Sequence, residues 1–227
     1  MKSIIECLEE FPIFVGLKRK DKDFLRSVSN TRVYKKNQVI YLPGVPSNTI
    51  YFCNKGRIKF LRMSKSGTET TIRLINPGEM FGELTFFEEK TWSEKAVAIE
   101  DTHLCELNNK IFKKILDEHP QLYFDLSEHM NRKIKNYTRK IEELLFKDSM
   151  QRLASFLSRF ANDYGKSNGS YISVEPFLRQ NEIADLIGCS RNTTNDMLNQ
   201  LRVVNVIGYS RNKLIVYKQE ILSKIAD

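Results

Sequence analysis

The stretch Gln180–Leu201, QNEIADLIGCSRNTTNDMLNQL, constrains the fold of this chain more than any other part of the sequence. Ala184 and Gly188 are small residues four positions apart, so two helices can approach closely and the chain can turn sharply between them. Ser190 follows the turn and offers a hydroxyl that can cap the N-terminus of a second helix. The stretch therefore predicts two crossing helices joined by a tight turn.

The second helix of this pair has two chemically different faces. Apolar or small side chains recur at steps of three and four and predict the buried face: Thr194, Met197, Leu198 and Leu201. The opposite face is polar and holds Arg191, Asn192, Asn195, Asp196 and Asn199. In a DNA major groove, Arg can pair bidentately with guanine and Asn with adenine. We therefore predict that the first four of these polar residues read bases; the alternative is an ordinary helical hairpin with a polar solvent face.

A predicted β-hairpin follows the helix pair. Val206–Tyr209 and Leu214–Tyr217 are short β-rich runs, and they flank a basic tip. With an amphipathic helix over Lys147–Tyr164, these elements predict a winged helix-turn-helix, whose second helix enters the major groove. Phosphate contacts position such a fold on DNA. We assign them to polar and basic residues of the second helix and the wing tip: Ser190, Thr193, Asn199, Arg211 and Lys213.

Residues 31–108 show a different sequence pattern, in which short β-rich runs alternate with turns that contain Gly or Pro. Such a pattern predicts a β-barrel or jelly roll. The predicted strands are Thr31–Tyr34, Gln38–Tyr41, Thr49–Cys53, Arg57–Met63, Thr68–Leu74, Lys95–Ala98 and Thr102–Leu107. Short helices are predicted before and after the barrel, over Ser3–Phe11, Lys20–Ser29 and Asn109–Glu118.

The barrel region contains the segment Gly78–Glu89, GEMFGELTFFEE. Gly82 allows a short turn whose backbone N–H groups can point at an anion, and Glu83 adds a fixed acceptor. Such a concavity can hold a phosphate or a sugar hydroxyl. Ordinary turns use the same glycines, so a turn without a ligand is the alternative.

A long helical stretch begins at Pro120. Its apolar residues recur at steps of three and four over about 25 residues, roughly 37 Å of helix. A stripe of this length is typical of a coiled-coil seam, so we predict a two-fold dimer. The seam residues are Leu126, Met130, Ile134, Tyr137, Ile141 and Leu144, and polar residues such as His129 and Lys133 are assigned to the other faces. The alternative is one long helix packed on its own barrel.

The composition of the chain limits its function classes. At 227 residues and a net charge of +8, there is room for one large or two small domains, and the charge suits a polyanionic partner. No long apolar run and no secretory signal pattern appear, so we expect a cytoplasmic protein without membrane association. Four scattered cysteines predict reduced thiols and no metal site. Without a catalytic triad, metal set or phosphate-loop motif, we predict that the chain is not an enzyme.

The order of barrel, long helix and winged helix-turn-helix, with the residues GEMFGEL and IADLIGCSRNT, resembles the cyclic AMP receptor/fumarate–nitrate regulator (Crp/Fnr) family of bacterial transcription factors. The resemblance extends from about Phe11 to Tyr217. It implies an α+β fold with an N-terminal jelly-roll barrel like those that bind cyclic nucleotides (residues 1–119), a dimerisation helix (120–145) and a C-terminal winged helix-turn-helix (146–227). It also implies a homodimer on double-stranded DNA, with half-sites about 34–36 Å apart. RNA polymerase is a further implied partner.

The effector pocket matches the family only in part. The resemblance places it around Gly82, Glu83, Leu84, Trp92, Ser93, Tyr137 and Thr138. In the cyclic-AMP-binding branch, a Gly-Glu pair and an Arg-Ser pair hold the ribose and the cyclic phosphate. Gly82 and Glu83 match the first pair. Trp92 occupies the position where that branch has the Arg, so the bidentate contact with the phosphate is lost. Tyr137 is bulky enough to fill the pocket itself.

These departures argue against cyclic AMP as the effector, while another cyclic nucleotide remains open. The iron–sulfur branch needs several N-terminal cysteines, and only Cys7 precedes the barrel, so we expect no iron–sulfur cluster. The haem-binding branch stays open, although no axial ligand pair stands out. No cofactor is therefore assigned.

The recognition helix also departs from the family pattern. Arg191 matches the first base-reading Arg, whereas Asn192 replaces the usual Glu and Asp196 replaces a second Arg. These departures predict an operator that differs from the common TGTGA and TTGAT half-sites. We therefore predict a homodimeric, sequence-specific DNA-binding transcription regulator. The alternative is a ligand-binding or scaffold module that uses the barrel without sequence-specific DNA binding.

Overall fold

The computed structural model describes residues 11–83, 91–210 and 212–227. Spatial clustering divides the chain into two units, Met1–Lys133 and Ile134–Asp227. The predicted helix before Phe11, and the predicted site residues Leu84 and Arg211, lie outside the described residues. In the described ranges, no helix combines the length and the apolar character needed to cross a membrane.

The first unit contains the predicted barrel. Its strands are β1 (Asn30–Tyr34), β2 (Val39–Tyr41), β3 (Thr49–Lys55), β4 (Ile58–Met63), β5 (Glu69–Ile75), β6 (Met80–Phe81), β7 (Lys95–Ala98) and β8 (Thr102–Asn108). They pair antiparallel in two sheets, ordered β1-β8-β3-β6 and β2-β7-β4-β5. Helix α1 (Arg19–Val28) precedes the sheets and α2 (Asn109–Glu118) follows them. The sheet-rich architecture and the seven strands expected from the sequence are confirmed.

Strand β3 shows why the barrel has two separate apolar clusters. Successive side chains of a strand point to opposite faces, so residues two apart share a face. Ile50 and Phe52 pack with the helices outside the barrel, whereas Tyr51 and Cys53 pack inside it. Half of the buried residues of the inner cluster are aromatic, and one of them, Trp92, belongs to the predicted effector pocket.

The long helix α3 spans Gln121–Phe146. Leu122 and Leu126 are buried in the outer cluster of the first unit, and Met130 packs against it. From Ile134 onward the apolar residues are exposed in this single chain. The apolar stripe is therefore buried within the chain along its first half and exposed along its second.

The second unit contains the winged helix-turn-helix. Its elements are α4 (Ser149–Tyr164), β9 (Lys166–Ser167), β10 (Ile172–Val174), α5 (Gln180–Ile187), α6 (Arg191–Val203), β11 (Ile207–Tyr209), β12 (Leu214–Val216) and α7 (Gln219–Ala226). The strands form one antiparallel sheet, ordered β11-β12-β10-β9. The helical hairpin and the wing are thereby confirmed, and α7 is an element that the sequence analysis did not predict.

Candidate nucleic-acid interface and effector pocket

The turn between α5 and α6 is held by backbone geometry and by one arginine. Gly188 ends α5 in the left-handed conformation, with φ of 68°, which favours glycine. Arg152 of α4 donates from Nε to the carbonyl oxygen of Ile187 (2.8 Å) and from Nη1 to that of Lys147 (2.7 Å). Arg152 thus links the turn between α5 and α6 to α4. Sequence reasoning missed this residue because a single Arg on an amphipathic helix carries no distinguishing pattern.

Helix α6 is oriented by its apolar face and its cap. Thr194, Met197, Leu198 and Leu201 are all buried, which confirms the predicted inner face. Ser190 caps the helix, and its Oγ accepts from the backbone N–H of Thr193 (3.0 Å). The two hydroxyls of Ser190 and Thr193 also lie 2.8 Å apart. Because the buried side is fixed, the outward direction of the polar face is fixed as well.

The polar face of α6 presents the predicted base-reading residues. Arg191, Asn192 and Asp196 are exposed, whereas Asn195 is half-buried. Arg191 has no hydrogen-bond or ion-pair partner within the part of the chain that the structure describes. A guanidinium with no internal partner keeps all its donors available for a ligand.

A groove of about 600 Å³ opens along this face. Its residues come from the start of α5, from α6 and from the wing: Arg179, Gln180, Asn181, Arg191, Asn195, Asn199, Arg202, Tyr209 and Ser210. Three of them are arginines, and none of these lining residues carries a carboxylate. The groove therefore suits an anionic ligand with hydrogen-bonding edges. Sequence reasoning missed Arg179 and Gln180 because they stand at the start of the preceding helix, and Arg202 because the stretch it examined ends at Leu201.

The wing tip is fixed by backbone bonds and by a weak ion pair. The backbone N–H of Ser210 donates to the carbonyl oxygen of Lys213 (2.9 Å), and that of Phe177 donates to Asn212 (2.9 Å). Lys213 Nζ lies 3.6 Å from Glu175 Oε2, and the two side chains are 42% and 56% exposed. Exposed pairs of this kind contribute little, so Lys213 can exchange Glu175 for a phosphate at small cost.

The barrel side of the predicted effector pocket is filled by aromatic rings. Trp92 is buried and stacks on Tyr41, with ring centroids 4.0 Å apart and an interplanar angle of 11°. Gly82 has φ of 92°, and a Cβ there would lie 2.6 Å from the carbonyl oxygen of Thr49 and 3.1 Å from Trp92 Cη2. Only glycine fits at this position, because the backbone is left-handed and a Cβ would clash with the Thr49 carbonyl oxygen.

Glu83 is engaged by a lysine from the long helix. Lys133 Nζ lies 2.6 Å from Glu83 Oε1 and also donates to the carbonyl oxygen of Met80 (3.0 Å). Burial lowers the pKa of Lys133, and the Glu83 carboxylate opposes that shift. The pKa of nearby His129 is lowered to about 4, first by burial and then by Lys133, so His129 is neutral near pH 7. His129 and Lys133, which were assigned to the other faces of the long helix, thus both turn toward the barrel.

A second buried ion pair joins Arg73 and Glu94. The Arg73 guanidinium also lies over the Phe60 ring, 3.9 Å from its centroid. Burial, and next the Glu94 carboxylate, raise the pKa of Tyr41, the residue that stacks on Trp92. Arg73 and Lys133 thus each already have a carboxylate partner. Neither of these two ion pairs was predicted from the sequence.

The other predicted effector residues lie at the surface. Ser93 is exposed, and its Oγ accepts from Arg62 Nη2 (3.2 Å). In the second unit, Tyr137 is 47% exposed, and the hydroxyl of Thr138 donates to the carbonyl oxygen of Ile134 (3.1 Å). Gly82, Glu83 and Trp92 are thus brought together, while the roles of Ser93, Tyr137 and Thr138 stay predictions.

The described residues contain no group of three or more His, Cys, Asp or Glu side chains that could hold a metal ion. The fold and the groove together define a class of protein: a winged helix-turn-helix DNA-binding protein with a barrel like those that bind cyclic nucleotides. Protein-family models match the barrel and the helix-turn-helix separately. A cyclic nucleotide-binding domain matches residues 31–119 and a Crp-like helix-turn-helix domain matches residues 151–225.

Known proteins match almost the whole chain. The cyclic AMP receptor protein of Thermus thermophilus is 26% identical over 215 residues, 95% of this chain and 96% of that protein. A global nitrogen regulator of Synechocystis is 27% identical, with the same shares covered. A solved structure of a CooA variant from Carboxydothermus hydrogenoformans has a TM-score of 0.74 at 22% identity, and covers 97% of this chain and 95% of its own. The chain therefore belongs to the Crp/Fnr family of transcription factors and is a DNA-binding regulator.

Proposed function

We propose that the protein regulates transcription as a homodimer that binds two DNA half-sites, with RNA polymerase as a further partner. The observation that carries this proposal is the groove beside α6, where Arg191 has no internal partner among the described residues and lies with Arg179 and Arg202. The recognition helix would enter the major groove at each half-site, with the two sites about 34–36 Å apart. Arg191 reads guanine in this arrangement.

The second half of α3 supports the homodimer. Ile134, Ile141 and Leu145 are between 57% and 71% exposed, which is unusual for aliphatic side chains at helical spacing. An isologous two-fold contact between two such stripes would bury them against each other. The proposed seam therefore begins at Ile134, after the part of the stripe that is buried in its own chain.

The filled barrel supports an effector other than cyclic AMP, or none. A cyclic phosphate needs a cation, and Arg73 and Lys133 already hold Glu94 and Glu83. A purine and ribose need space, and the rings of Trp92 and Tyr41 occupy it. The residues present therefore do not fit cyclic AMP. In isothermal titration, cyclic AMP is expected to give no saturable heat at millimolar concentration.

Selection of bound DNA from a random pool tests the proposal directly. A sequence-specific dimer is expected to enrich a near-palindromic site, and the affinity for that site should fall steeply with salt because phosphate contacts release counterions. A scaffold module without DNA reading would enrich no sequence. That outcome would overturn the proposal.

Arg191→Ala is expected to weaken binding to the selected site by about 1–3 kcal/mol, roughly 5- to 150-fold, and to relax the preference at one base pair. The reason is the loss of a bidentate contact with guanine. Titrations with the selected site and with single-base variants measure both effects. Arg26→Ala is the matched control, since Arg26 is exposed on α1 in the other unit. Equal losses for every base variant would show that Arg191 contacts phosphate instead.

Lys213→Ala is expected to weaken binding evenly across DNA sequences and to reduce the slope of log K against log salt by about 1. The wing lysine would contact a phosphate, which carries no sequence information. Glu175→Gln is the paired variant, because it removes the carboxylate that competes for Lys213, so tighter binding is expected. A salt slope that Lys213→Ala leaves unchanged would remove Lys213 from the interface.

A further inference from the structure

The first residue of α5 is tied to the second turn of α6 by one side-chain hydrogen bond. Gln180 Nε2 donates to Asn195 Oδ1 over 2.7 Å, and both side chains are half-buried and line the groove. Asn195 Nδ2 has no hydrogen-bond partner among the described residues. The Asn195 amide is therefore held with its oxygen toward α5 and its two N–H donors unused.

This orientation decides what Asn195 can recognise. An Asn reads adenine bidentately by accepting from N6 with its oxygen and donating to N7 with its nitrogen, so both ends of the amide must face the base. In this structure Gln180 holds the oxygen end, and the donors remain. Donors pair with acceptors. In the major groove guanine offers two, N7 and O6, and thymine offers O4, whereas adenine offers only N7 beside its N6 donor.

We infer that Gln180 is a specificity-determining positioning residue, which makes Asn195 a hydrogen-bond donor that selects guanine or thymine over adenine. This inference rests on the proposed base-reading role of α6. A tie that only joined two helices would affect stability and leave base preference unchanged. Base preference is therefore the property to measure.

Gln180→Glu inverts the polarity of the tie. A carboxylate only accepts hydrogen bonds, so Asn195 must turn its Nδ2 donors toward residue 180 and its oxygen toward DNA. The preferred base at that position is expected to change to one that presents a donor, cytosine N4 or adenine N6, with discrimination of about fivefold or more. Gln180→Ala releases the amide, and adenine is expected to become as acceptable as guanine or thymine.

The experiment selects bound DNA from a random pool with five full-length proteins. They are the wild type, the single variants Gln180→Glu, Gln180→Ala and Asn195→Ala, and the double variant Gln180→Glu with Asn195→Ala. The change in preference caused by Gln180→Glu is expected to vanish when Asn195 is absent. The inference is overturned if neither Gln180 variant changes base preference, or if the change persists without Asn195. In both cases the proposed function still stands if the wild type enriches a site and Arg191→Ala binds that site more weakly. A wild type that enriches no site defeats both.

Discussion

Lys133→Ala is expected to lower the free energy of unfolding by about 3–5 kcal/mol, because it leaves the Glu83 carboxylate buried without its counter-ion. The side chain of Glu83 is only 6% exposed and that of Lys133 17%, so solvent screens the pair weakly. For a chain of this size, each kcal/mol corresponds to about 2–4 °C in Tm, so a fall of roughly 6–20 °C is expected. Thermal unfolding followed by circular dichroism measures it.

Arg132→Ala is the matched control for this variant. Arg132 neighbours Lys133 on α3 and pairs with Glu128 (3.0 Å), but both partners are more than half exposed. An exposed pair four residues apart contributes only about 0.3–0.5 kcal/mol, so the control should unfold almost like the wild type. If Lys133→Ala shifted Tm no more than Arg132→Ala, the buried ion pair would be unimportant for stability.

A double replacement separates charge burial from packing. Lys133→Met combined with Glu83→Leu removes both charges and keeps much of the apolar volume. Replacement of a whole buried ion pair by apolar residues is often neutral or stabilising. The double variant is therefore expected to recover most of the stability that Lys133→Ala loses. A double variant as unstable as the single one would show that the uncompensated Glu83 charge is not the cause, and would point to the lost hydrogen bond from Lys133 to the Met80 carbonyl oxygen.

The helix-turn-helix could be predicted from sequence because its determinants are local. Gly188 takes the left-handed conformation and Ser190 caps the next helix, and each acts on residues within one turn. The buried face of α6 follows from a repeat of three and four residues. The strands β1–β5, β7 and β8 were predictable for the same reason, since Gly and Pro turns separate their runs. The two-residue strand β6 is too short to carry such a pattern.

The side-chain pairings beside the groove and the barrel could not be predicted because they join distant residues. Gln180 and Asn195 are 15 positions apart, and Lys133 and Glu83 are 50 apart. Periodicity separates apolar from polar faces, but it does not show which polar side chain turns inward to meet a buried charge. For that reason Lys133 could be placed on a polar face of the long helix, but its pairing with Glu83 could not be predicted. Trp92 was identified only as a departure from a family pattern, and its stacking on Tyr41 emerged from the fold.

Replacement of both Ile134 and Ile141 by lysine is expected to convert the dimer to a monomer. The two side chains are 63% and 57% exposed in the single chain and lie seven residues apart, two turns along one face of α3. In the proposed seam each would meet its counterpart across a two-fold axis, and two lysines there would add like charges to an apolar contact. Sedimentation velocity at micromolar concentration is expected to show a species of half the mass.

DNA binding should fall much further than stability in this variant. A dimer binds its second half-site as an intramolecular event, which raises affinity by about 10²–10⁴-fold over a single half-site. The monomer is therefore expected to bind the full site and an isolated half-site with similar, weak affinity. Asn136→Lys with Glu142→Gln is the matched control, since it changes the net charge by the same +2 at exposed positions of α3. A lysine variant that still sediments as a dimer would place the dimer contact elsewhere, and Ile134 would then face solvent in the assembled protein.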